Sequence, residues 1–71
     1  MDESRHEKFK RLATHRTNAV LEKLRLLGNL SSKTNYEYSE EEVSKIFYAI
    51  EAQLRTIKAI FSGKKKKEFK L

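Results

Sequence analysis

Three residues of the first half stand in a line that suits recognition chemistry. Arg11, Asn18 and Arg25 are spaced seven apart, so on a helix they fall along one side. Arginine and asparagine make two-pronged hydrogen bonds to base edges and phosphates. A second basic feature is the unbroken run Lys64, Lys65, Lys66 and Lys67. Such a run attracts a polyanion, or an acidic membrane surface, without reading sequence. These seven residues are the candidate nucleic-acid contacts, for RNA or DNA. The plainer alternative for the helical line is a solvated face. There Glu7 precedes Arg11 in the favourable i,i+4 order, and Glu22 sits three residues before Arg25.

Little else in the chain is equipped for chemistry. His6 and His15 are nine apart, which puts them on opposite sides of a helix, so they cannot share a metal locally. There is no His-Glu-x-x-His motif, no glycine-rich phosphate loop and no nucleophile elbow. Cysteine is absent, which removes thiolate ligands and disulfides together. Most of the carboxylates clustered before residue 43 are explained by helix capping. The expectation is a non-enzymatic protein with neither cofactor nor metal.

Two helices would have to position these residues. Over roughly 4–27, Phe9, Leu12, Ala13, Val20, Leu24 and Leu27 share one side of a helical wheel. Asp2, Glu3 and Ser4 suit the start, and Gly28 is expected to end it in a left-handed C-cap. Over 39–62, Val43, Phe47, Ile50, Leu54, Ile57 and Phe61 follow spacings of 4, 3, 4, 3 and 4. That is a heptad stripe, which Ile46 and Ile60 widen. Ser39 and Glu42 form an S-x-x-E capping box, with Tyr38 and Val43 at the spacing of a hydrophobic staple. Glu40, Glu41 and Glu42 favour the positive end of the helix dipole. Gly63 ends this helix. The connection, residues 29–38, contains Leu30, Tyr36 and Tyr38, which are expected to fold over the open end of the helix pair. Residues 64–71 are expected to be a disordered basic tail.

The expected fold is therefore all-α, an antiparallel helical hairpin over 1–63. With 71 residues, such a chain is near the lower size limit for folding alone. The wide stripe of the second helix would stay partly wet against one neighbour. Pairing two hairpins into a homodimeric four-helix bundle covers it. Arg16 interrupts the apolar side of the first helix and needs a partner or an outlet, with Glu51 a candidate across the hairpin. On the far face of the second helix, Tyr48 and Arg55 stand out between the small residues Ala52 and Ala59.

Sixteen Lys and Arg against ten Asp and Glu leave a net charge of +6, which suits an anionic partner or simple solubility. No apolar run is long enough to span a bilayer, and the start lacks an apolar signal region, so a cytoplasmic location is expected. The leading expectation is a small regulator binding nucleic acid as a helical dimer. The alternative is a protein-interaction module, an adaptor or inhibitor, docking through the second helix stripe or the tyrosine-bearing connection. A purely structural oligomer is a third reading.

Several runs carry a resemblance. Arg16-Thr17-Asn18, Leu24-Arg25-Leu26-Leu27-Gly28-Asn29-Leu30-Ser31, Asn35-Tyr36-Glu37-Tyr38-Ser39 and Lys45-Ile46-Phe47 resemble a group of small uncharacterised bacterial helical proteins. Some of these are carried on mobile elements. The resemblance covers about residues 9–61 and implies a prokaryotic origin, with no activity attached. In architecture alone the chain is similar to the plasmid repressor-of-primer proteins, dimeric helical hairpins that bind RNA. No motif is shared with them.

Overall fold

The computed structural model describes residues 3–63. They are all-α: helix α1, Arg5–Gly28, a short 3-10 turn, Asn29–Ser31, and helix α2, Glu40–Ser62. No strand occurs among the described residues. The chain divides into two units, one ending at Glu37 and the other starting at Tyr38.

In the first unit, α1 begins with a full capping box. The Ser4 hydroxyl accepts from the Glu7 N–H at 3.0 Å, and the Glu7 carboxylate accepts from the Ser4 N–H at 3.2 Å. Two of the helix's otherwise unpaired N–H donors are thereby satisfied. The expected left-handed stop at Gly28 is not what forms. Gly28 has φ −63° and ψ −25°, ordinary right-handed helix, and the chain tightens into the 3-10 turn beyond it. The Asn29 N–H still reaches the carbonyls of the last α-helical turn. A 3-10 turn closes orphan carbonyls as a left-handed cap would, so glycine's freedom is not used here. A further turn follows, in which the Ser32 carbonyl accepts from the N–H groups of Asn35 and Tyr36. Leu30 and Tyr36 are exposed in this segment, close to half of each.

In the second unit, α2 starts at the expected capping box. The Ser39 hydroxyl accepts from the Glu42 N–H at 3.0 Å, and the Glu42 carboxylate accepts from the Ser39 N–H at 2.8 Å. Glu40, Glu41 and Glu42 occupy the first turn, where negative charge is stabilised by the helix dipole. Tyr38 and Val43, at the staple spacing, are both half-buried. The far end is the glycine stop that the sequence suggests: Gly63 has φ +74°, and its N–H donates to the Ile60 carbonyl. Inside the helix, the hydroxyls of Thr56 and Ser62 are satisfied by the carbonyls of Ala52 and Ala59.

Neither helix buries its apolar side. No described residue is fully buried, polar or apolar. On α1, Leu12, Ala13 and Leu27 are half-buried, while Phe9, Val20 and Leu24 are exposed. On α2, Val43 and Ile50 are half-buried, while Ile46, Phe47, Leu54, Ile57, Ile60 and Phe61 are exposed.

Candidate functional surfaces

The Arg11–Asn18–Arg25 line lies on α1, and all three residues are exposed. Its arginines are already engaged. Arg11 grips Glu3 with two parallel bonds, Nε to Oε2 at 2.9 Å and Nη2 to Oε1 at 2.9 Å. Arg25 grips Glu22 in the same way, Nε to Oε1 at 3.1 Å and Nη2 to Oε2 at 2.6 Å. The second pair is the expected i,i+3 contact. The first replaces the expected Glu7–Arg11 pair, because the Glu7 carboxylate serves the Ser4 cap. Arg11 therefore reaches back eight residues to a carboxylate just ahead of the helix. The Asn18 side chain makes no hydrogen bond among the described residues, and the residue is exposed.

The electrostatics follow from these forks. The hydrogen bond from Arg11, reinforced by its charge, holds the Glu3 carboxyl below the usual carboxylate range. The hydrogen bond from Arg25 does the same for Glu22. Reciprocally, each carboxylate pushes its arginine further up. A phosphate arriving at either guanidinium would meet an ion already paired, and would have to displace a carboxylate or share the remaining N–H groups. Both forks are solvent-exposed, so such exchange is cheap, and the pairs add little stability. Arg16 is exposed and makes no ion pair among the described residues, and Glu51 is exposed as well. Lys64, Lys65, Lys66 and Lys67 lie outside the described residues.

The apolar face of α2 is the more distinctive surface. At 100° per residue, Val43, Ile46, Phe47, Ile50, Leu54, Ile57, Ile60 and Phe61 fall within an arc of about 140°. Gln53 is the one polar residue among them, and from Val43 to Phe61 no charged residue enters the arc. Phe47 is 49% exposed, Leu54 47%, Phe61 70% and Ile60 71%. A fully exposed aromatic side chain presents roughly 200 Å², so Phe47 and Phe61 alone show about 240 Å² to water. With the four large aliphatic side chains between them, the face passes the few hundred Å² that soluble monomers leave bare. By contrast, the apolar side of α1 is interrupted by Arg16 and Lys23.

The sequence pattern revealed this stripe and the Glu22–Arg25 pair, but not the pairing of Arg11 with Glu3. The box at Ser4 and Glu7 was legible too, having the same S-x-x-E spacing as the one at Ser39. Among the described residues, no group of three or more His, Asp or Glu is placed to hold a metal ion. No helix among them is long and apolar enough to cross a membrane. Compared with protein-family models, curated proteins and solved structures, the chain matches none.

Proposed function

We propose that this protein is a helical interaction module that acts by laying the apolar face of α2 against another helix. The observation that carries this reading is that face: eight apolar residues in one arc without a charge, six of them exposed. Covering it releases ordered water, with about 25 cal/mol gained per Å² of apolar surface removed. Packing of this kind supplies most helical stability in proteins. In this reading α1 and α2 fold back as an antiparallel hairpin, and two hairpins complete a four-helix bundle. Recognition here is binding without bond chemistry.

The test is sedimentation of the full chain beside Ile57→Asp and the double variant Arg11→Ala/Arg25→Ala. The reading expects association in the parent chain, its loss with Ile57→Asp, and its retention in the arginine variant. No association at any concentration would refute it.

A second reading, nucleic-acid binding, is favoured by the net charge of +6. In it Arg11, Asn18 and Arg25 make directed contacts, and Lys64–Lys67 add non-specific attraction. Titration with mixed RNA and DNA at rising salt tests it. Binding that persists near physiological salt and fails in Arg11→Ala/Arg25→Ala supports it. Binding that fades with modest salt and ignores the arginines refutes it.

A further inference from the structure

We propose that one side of α1 binds the surface of an anionic lipid bilayer, lying flat among the headgroups with Arg5, Lys10, Arg16 and Lys23 on lipid phosphates. This goes beyond the reading of the α2 face and concerns α1 alone.

The charges of α1 carry the first part of the argument. The helix holds seven Lys and Arg against two Glu, and the structure sorts them by side. At 100° per residue, Glu7, Arg11, Glu22 and Arg25 fall together within an arc of about 60°. There Arg11 and Arg25 are forked to Glu3 and Glu22, and Glu7 serves the Ser4 cap. The other five cations, Arg5, Lys8, Lys10, Arg16 and Lys23, spread over a further arc of about 200° that contains no acid. All five are exposed, and none makes an ion pair among the described residues. One side of α1 is therefore neutralised and the other is left positive, complementary to an extended negative surface.

The side chains between those cations carry the second part, and they select the kind of surface. Phe9, Ala13, Val20, Leu24 and Leu27 form an apolar sector about 60° wide. Arg5, Arg16 and Lys23 flank it on one side and Lys10 on the other. Phe9 and Val20 are each 52% exposed. A nucleic-acid strand would engage the cations and leave the aliphatic side chains in water. An anionic bilayer surface takes both. The sector sinks roughly 5–10 Å, to the boundary of headgroups and acyl chains. The long Lys and Arg stems lie along it and bring their charges up to the phosphates. The arginine-paired side then faces water. Helix α2 lacks this arrangement, because three glutamates fill its first turn and would meet the same anionic headgroups. In the hairpin reading the α1 sector is covered, so lipid and hairpin compete for it.

The chain has no tryptophan, so one introduced indole reports its own surroundings in the full-length protein. Val20→Trp stands in the apolar sector, and Asn18→Trp on the opposite side of the helix. Vesicles of phosphatidylcholine mixed with phosphatidylglycerol should bind both chains and shift the emission to the blue only at 20. Phosphatidylcholine alone should do neither. In flotation with the mixed vesicles, Arg16→Gln/Lys23→Gln should weaken binding about thirtyfold, about fivefold for each cation. Arg11→Gln/Arg25→Gln should change it little, since that side stands about a helix diameter further from the lipid, beyond a Debye length. Changing Lys64, Lys65, Lys66 and Lys67 together to Gln controls for the basic run, and the shift at 20 should survive it. Binding that vanishes with that run, that leaves the emission at 20 unmoved, or that shifts 18 and 20 equally would overturn the inference. So would a chain that ignores the vesicles and binds single-stranded DNA through Arg16 and Lys23, which would assign these cations to nucleic acid.

Discussion

Replacing Leu54 by alanine separates a covered α2 face from a bare one by the sign of its effect. On a lone solvated helix the change is neutral or slightly favourable, because alanine has the best helix propensity. On a face that becomes covered, the exposed part of Leu54 is what the partner removes from water. Full burial of a leucine side chain is worth about 1.5–3 kcal/mol. Leu54 is 47% exposed, so covering the remainder contributes about 0.7–1.4 kcal/mol per chain. In a symmetric pair the residue counts twice, which gives about 1.4–2.8 kcal/mol and a loss of roughly ten- to a hundredfold in dimer affinity. Any cavity left by imperfect repacking adds to that. Sedimentation equilibrium with far-UV circular dichroism at matched concentrations reads both quantities. A Leu54→Ala chain that associates as well as its parent, with equal or higher helicity, would refute the reasoning.

Other perturbations act on local structure. Ser39→Ala removes the hydroxyl that accepts from Glu42 and should cost α2 about 1 kcal/mol, seen as lost helicity and faster amide exchange in its first turn. The two glycines should respond with opposite signs. Gly28 is right-handed with open space around a would-be Cβ, so Gly28→Ala should stabilise α1 by about 0.5–1 kcal/mol. Gly63→Ala forces a side chain into φ +74° and should cost about 1–2 kcal/mol, fraying the last turn of α2. Acid should weaken the start and end of α1. The folded-state pKa values of Glu3 and Glu22 are lowered by Arg11 and Arg25. Their stabilisation is therefore complete above the ordinary glutamate range and is lost as pH falls through the lowered folded values. Carboxyl titration by NMR checks this, and Arg25→Ala should return Glu22 to the ordinary range.

Local structure was readable from sequence where one residue type has one job. The serine and glutamate of 39–42 can satisfy each other's backbone only at a helix start, and the structure closes that box. Gly63, following a heptad stripe and preceding lysines, is left-handed as its position suggests. Gly28 has the same look, yet the chain beyond it contains Leu30 and Ser31 and tightens into a 3-10 turn. Glycine tolerates right-handed helix as well as the left-handed cap, so its presence after an apolar run does not choose between them. The Arg11 contact was illegible for a different reason. Glu7 had two suitors, its own helix cap and Arg11, and the backbone N–H won. That competition left Arg11 to Glu3, a partner outside the i,i+3 and i,i+4 rules. The apolar arc of α2 was legible in full, since it depends only on spacing. What covers it was not, because a stripe specifies a complementary surface and not the chain that supplies it.

The central claim is that the α2 face is a docking surface satisfied by a second copy. Sedimentation equilibrium of the unmodified full-length chain over a wide concentration range, with helicity followed in parallel, tests it most directly. A monomer–dimer equilibrium in which helicity rises with the dimer fraction is the expected result. A monomer throughout, with helicity independent of concentration, would contradict it.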